Sequence, residues 1–221
     1  SQLSPGEFIA HLEKHYEITG MVVGFNNRFG YRAQGDTDVL AAIGRERGFA
    51  VDVVDAVTWK GEAVSSSRIR SALQDSRLAD ANAMLVQSYF YRGTVHQHRQ
   101  IGRSIGFPTL NIRPGEKLIP CQGVYASRVT EGLSIPRAGV NMWKGVTNIG
   151  NNPSVTDKQH IYIESHVMNA LPEMYGQPIY VELATFIRPQ VKFASLEEMR
   201  VQIARDREAS LAILEEEKGD R

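Results

Sequence analysis

The chain has 221 residues, 42% of them hydrophobic, enough for the core of one large domain or two small ones. Its 25 Lys and Arg balance 25 Asp and Glu, which weighs against a dedicated nucleic-acid binder, since those are usually basic. A single cysteine, Cys121, allows no disulfide framework within the chain, and with no signal-peptide pattern at the start the expected location is cytoplasmic. No run of about 18 apolar residues is present to span a membrane.

Ser4-Pro5-Gly6-Glu7 opens a helix, with Ser4 as cap, Pro5 at the first helical position, and Phe8, Ile9 and Leu12 at helical spacing. Met21–Gly24 reads as a buried strand, Asp36–Arg47 as a helix ended by Gly48, and Phe49–Val54 as the next strand. This alternation predicts half of a doubly wound parallel sheet. Ser65, Ser66 and Ser67, followed by Arg68 and Arg70, form a helix N-terminus whose free amides attract anions. Taken in isolation, a plain capped surface helix is the safer reading of these residues. Leu78–Val86 reads as one more helix.

After Tyr89 the pattern changes to short strands punctuated by Gly, Pro and Asn: 89–96, 123–130, 138–148, 160–168 and 178–187. Such a succession predicts an antiparallel barrel. Ser195-Leu196-Glu197-Glu198 is a capping box. It opens a last helix with Leu196, Met199, Ile203, Leu211 and Leu214 as the expected inward stripe and a solvated, frayed end from Glu215.

The loop between the first two barrel strands holds the densest chemistry. Arg99 and Arg103 supply forked donors suited to phosphate. Gly102 and Gly106 let backbone approach a ligand, and Thr109 and Asn111 follow Pro108 with oxygens for a hard cation. Phosphoryl transfer needs this combination. By composition alone a solvated surface loop fits slightly better, because the Gly-Lys-Ser/Thr ending of a Walker loop is missing. In Ile161–His166, alternation places Tyr162, Glu164 and His166 on one face. A strand carboxylate there could accept a proton from an alcohol, although a solvent-facing glutamate is the commoner case. His166 is expected to pair at the surface.

Pro108-Thr109-Leu110-Asn111 resembles the Pro-Thr-Ala-Asn signature of riboflavin kinases. The likeness continues through Gly123-Val124-Tyr125, Asn148-Ile149-Gly150-Asn151-Asn152-Pro153, Glu164-Ser165-His166, Met174-Tyr175-Gly176 and Arg188-Pro189-Gln190-Val191-Lys192-Phe193. Upstream, Val23–Gly30 and Ser65–Arg70 resemble parts of the bacterial bifunctional enzyme that fuses this kinase to an FMN adenylyltransferase. The resemblance implies an α/β plus all-β chain. Residues 1–88 would be a partial Rossmann-like nucleotidyltransferase domain, and 89–221 a Greek-key riboflavin kinase barrel with a C-terminal helix.

The implied reaction is ATP plus riboflavin giving ADP plus FMN, on small-molecule substrates without nucleic acid or membrane. Gly102, Arg103, Gly106 and Asn111 would bind the ATP phosphates. Thr109 and Asn111 would hold Mg²⁺, and Glu164 would be the general base. Ser65, Ser66, Ser67, Arg68 and Arg70 would belong to the nucleotidyltransferase motif. The barrel rim and last helix would wall the flavin ring. Three positions depart from the pattern: Leu110 for alanine, His96-Gln97-His98 for Val-His-Gly, and Asn152-Pro153-Ser154 for Arg-Pro-Thr. The family's His-x-Gly-His is missing; His11 and His15 lie on a helix without the glycine. The sequence is thus expected to start midway through the adenylyltransferase part and to lack FAD synthesis. A barrel that binds flavin or nucleotide without catalysis remains an alternative. An oligonucleotide-binding barrel is disfavoured by zero net charge and 8% aromatic residues.

Overall fold

The structure is a computed structural model and describes residues 2–97, 101–137, 139–151, 161–168 and 174–219. Arg99, His98, His160 and Asn152-Pro153-Ser154 lie outside the described residues. The chain divides into two compact units, Ser1–Val64 and Ser65–Arg221.

In the first unit, helix α1 (Pro5–Glu13) starts at a reciprocal capping box. The Ser4 amide donates to Glu7 Oε2 at 2.7 Å, and the Glu7 amide returns to Ser4 Oγ at 3.4 Å. Strand β1 (Gly20–Gly24) pairs in parallel with β2 (Ala50–Val54), joined by helix α2 (Thr37–Arg47). Asp36 caps α2 by accepting from the Val39 amide at 3.0 Å. Gly48, at φ +83°, ends it in the left-handed conformation that glycine adopts without strain. Ile9, Leu40 and Phe49 form the core between these elements. β1 is covered on one face only: Val22 is 70% exposed, where a fully buried strand was expected. A short hairpin, β3 (Thr58–Trp59) and β4 (Glu62–Ala63), completes the unit.

The second unit begins with helices α3 (Ser66–Gln74) and α4 (Leu78–Met84). Six strands follow among the described residues: β5 (Phe90–Thr94), β6 (Thr109–Ile112), β7 (Gly123–Glu131), β8 (Trp143–Asn151), β9 (Ile161–Val167) and β10 (Pro178–Pro189). A one-turn helix, α5 (Ile101–Ser104), precedes β6. The spatial order is β5-β10-β7-β8-β9-β6, with every pairing antiparallel. The ends of this row meet at a bridge in which the His96 amide donates to Asn111 O at 2.8 Å, so the sheet is a nearly closed barrel.

Tyr91, Ile112, Tyr125, Ile149, Ile163, Val181 and Leu183 fill the barrel interior. Ala72 and Leu73 of α3 and Leu78 and Ala81 of α4 join the same core. Asn82 fastens α4 to the sheet, donating to Leu183 O at 2.9 Å and accepting from the Tyr89 amide at 2.7 Å. The compact division therefore falls at 64/65, ahead of the change of pattern at 88/89.

Helix α6 (Leu196–Gly219) packs outside the barrel through Leu214 against Ala126 and Ala184. Its inner face differs from the expected stripe. Leu196 is 59% exposed, and the buried contacts are made by Asp206, Ser210 and Leu214. Asp206 accepts two hydrogen bonds from Arg188, at 2.8 and 2.6 Å, and Ser210 Oγ donates to Gly145 O at 2.8 Å. Where a solvated end was expected from Glu215, Glu215 pairs with Lys144 at 2.9 Å and Glu217 pairs with Arg128.

Candidate active site

On β7 the side chains that enter the barrel are Tyr125 and Val129, so Val124 and Ala126 face outward. Register carries that outer face across the sheet. Val124 is opposite Asn148, Asn148 opposite Glu164, and Glu164 opposite Asn111. The next outer row joins Ala126, Val146, His166 and Thr109. Thr109, Asn111 and Glu164 thus share one surface of two adjacent strands, where directly opposed side chains lie about 5 Å apart.

Asn111 is 7% exposed. Its Nδ2 donates to Thr109 O and Oγ1, both at 3.3 Å, while its carbonyl Oδ1 is buried without a hydrogen-bond partner among the described residues. A buried orphan acceptor is costly unless a ligand satisfies it. The Asn111 carbonyl and the Thr109 hydroxyl are neutral oxygens of the kind that a hard divalent cation takes together with phosphate oxygens. The donor chemistry therefore fits Mg²⁺.

His166 is buried, 8% exposed, rather than paired at the surface. Its Nδ1 donates to Pro108 O at 2.9 Å, and its ring meets Phe107 edge-on with centroids 5.2 Å apart. A carbonyl only accepts, so Nδ1 carries the proton. Burial pushes the pKa below its ordinary value, the Pro108 bond opposes that shift, and the Arg207 charge on α6 adds to it. The neutral ring thereby anchors the turn that delivers Thr109.

Gly102 and Gly106 have internal explanations. A Cβ on Gly102 would overlap the Phe107 carbonyl, and the Phe107 amide donates to Gly102 O at 2.7 Å. Gly106 sits at φ +87° with open space around it. Arg103 is exposed beside them. Ser65 caps α3, accepting from the Arg68 amide at 3.3 Å, and Ser66, Ser67 and Arg70 are exposed around that helix start.

Sequence reasoning did not assign two further side chains, Asn148 and Gln190. Both stand in the quoted motifs, and alternation alone would have placed Asn148 on the Glu164 face. Their mutual hydrogen bond of 3.0 Å spans 42 residues and has no local signal.

Residues 85–214 match the family riboflavin kinase, and residues 1–68 match the family FAD synthetase. The bifunctional riboflavin kinase/FMN adenylyltransferase of Escherichia coli K12 is 36% identical over 205 residues, covering 92% of this chain and 63% of its own length. That of Listeria monocytogenes is 33% identical over 213 residues, covering 96% and 65%. The chain thus spans less than two thirds of these curated relatives. A crystal structure described as a macrolide-efflux protein from Streptococcus pneumoniae superposes with a TM-score of 0.80 at 25% identity, covering 95% of this chain and 65% of that one. With the barrel, its outer-face Thr109, Asn111 and Glu164, and a family match over more than half its length, the chain belongs to the riboflavin kinase family.

Proposed function

We propose that this chain transfers the γ-phosphoryl group of ATP to the terminal ribityl hydroxyl of riboflavin, giving FMN and ADP in the cytoplasm. The observation that carries this is the row in which Glu164 stands directly opposite Asn111, whose buried Oδ1 has no partner among the described residues. Glu164 accepts the hydroxyl proton as the alcohol attacks. Thr109 and Asn111 hold Mg²⁺, which when bound neutralises charge on the transferring phosphate. Gly102, Arg103 and Gly106 line the phosphate path. The Greek-key kinase barrel lies within residues 89–221 and packs on α3 and α4, while the sequence of residues 1–88, with Ser65, Ser66, Ser67, Arg68 and Arg70, derives from a Rossmann-like adenylyltransferase part. Transition-state phosphate donors are worth about 10²–10³ in rate each. Without His-x-Gly-His, this 221-residue chain makes FMN but not FAD.

Purified chain is incubated with ATP, Mg²⁺ and riboflavin, and flavins and nucleotides are resolved chromatographically. FMN and ADP in equal amounts are expected. Flavin retention with no ADP would mark a non-catalytic binding barrel and overturn the proposal. FAD formed from FMN and ATP would overturn its second part.

A further inference from the structure

Next to Glu164, on the side away from Asn111, stands Asn148 of β8. Its Oδ1 accepts from Gln190 Nε2 at 3.0 Å. The Gln190 amide lies over Gly150, where a Cβ would overlap it. The bare glycine is what seats the glutamine, and the glutamine fixes the asparagine. The outer row therefore reads metal-side amide, carboxylate, held amide, on three consecutive strands.

Phosphoryl transfer places attacking and leaving oxygens roughly in line, on opposite sides of the phosphorus. With the phosphates on the Asn111 side of Glu164, the alcohol chain must come in over Asn148. Two amides joined by one hydrogen bond leave over one NH₂ and one carbonyl. Among the described residues, neither Asn148 nor Gln190 has another side-chain partner. A leftover donor and acceptor match a hydroxyl, which both gives and takes a hydrogen bond.

We infer that Asn148 binds the ribityl hydroxyl next to the one that is phosphorylated, the 4′-hydroxyl, and that Gln190 is the positioning residue that holds it there. This pair sets the terminal hydroxyl over Glu164 and selects a polyol chain over a plain alkyl alcohol. The inference rests on the riboflavin kinase function proposed above.

The test compares riboflavin with 4′-deoxyriboflavin in the full chain and in Asn148→Leu, Asn148→Ser, Gln190→Leu and Gly150→Ala, each checked by thermal melting. FMN formation by the unsubstituted chain is measured first and reports on the kinase function alone; its failure removes both proposals together. A site built to hydrogen-bond a hydroxyl discriminates against the analogue that lacks it. In the unsubstituted chain, kcat/KM is expected to fall on the order of 10- to 100-fold with the deoxy substrate. Asn148→Leu should lose a similar factor with riboflavin and almost nothing further with the analogue, because both changes remove the same contact. Asn148→Ser keeps a polar group should the leucine variant melt early. Gln190→Leu and Gly150→Ala should show the same coupling at reduced size, in kcat more than in KM. Losses that multiply, so that each variant loses the same factor on both substrates, would show a merely structural amide and overturn the inference.

Discussion

Glu164 and His166 are two residues apart on one face of β9, yet their surroundings give them different work. Glu164 stands between two amide side chains, Asn111 and Asn148, and is the residue proposed to act as base. General-base catalysis contributes about 10²–10⁴ in rate. Glu164→Gln should therefore lower kcat by that factor while both substrates bind within a few-fold, because the lost interaction belongs to the transition state. Steady-state kinetics on a variant shown to melt normally checks this; unchanged turnover would make Glu164 a bystander. His166 holds the Phe107-Pro108 turn as a neutral ring. Its pKa in the folded state is depressed below 6.5, so below that pH the unfolded chain takes up a proton that the folded chain refuses. Stability is then full above about pH 6.5 and declines as pH falls toward the folded-state pKa. Denaturant midpoints measured at descending pH should drop less for His166→Asn, whose amide can still donate to Pro108 O but does not titrate.

At the scale of elements, helix α6 shows where periodicity ends and long-range chemistry begins. Its stripe was expected to run through Leu196 and Leu211, which are exposed, because apolar spacing alone cannot foresee that Asp206 would face inward. That orientation is set by Arg188 on β10, whose fork grips both carboxylate oxygens, with Gln202 adding a bond of 2.9 Å. Removing one partner of a buried, bidentate pair leaves the other charge unpaired, a loss of roughly 3–5 kcal/mol. Asp206→Ala should lower the unfolding free energy by that amount, read by denaturant titration of the second unit. The helix start was legible. Ser195 accepts from the Glu198 amide at 3.1 Å, although Glu198 reaches back to the Ala194 amide rather than to Ser195. Strand β6 was hidden inside the stretch read for metal binding, because Thr109–Ile112 is too short and mixed to show alternation. Its recognition would have shown why Thr109 and Asn111, two residues apart, point the same way. β8 begins at Trp143, and the described residues 139–142 ahead of it are not strand, since the pairing of Trp143 with Val129 has no local sign; the expected start, Ala138, lies outside the described residues. Glu164, by contrast, stood on the expected face, because β9 alternates cleanly.

For the whole molecule, the alternating first part and the strand-rich remainder were legible from local pattern; the core that α3 and α4 join was not. The amphipathic α3 and α4 look alike whether they cover a parallel sheet or a barrel; only Leu73, Leu78 and Asn82 meeting the barrel core decides the matter. A fragment 65–221 should therefore fold and make FMN. A fragment 89–221 loses Leu73 and Leu78, each worth about 2–5 kcal/mol as a buried leucine, and should be aggregated or molten by near-UV dichroism. Cooperative melting of the shorter fragment would count against this. The barrel seam has a consequence of a different kind. It is joined where His96 donates to Asn111, and the side chain of the same Asn111 carries the unpartnered oxygen. A ligand that engages Asn111 only when the seam is shut must hold it shut, by the linkage that joins binding to any opening it forbids. The His96 amide becomes a natural gauge of occupancy. Its hydrogen exchange should slow about 100-fold when Mg-ATP is supplied at about 100 times its dissociation constant. Amides between β1 and β2 should keep their rates.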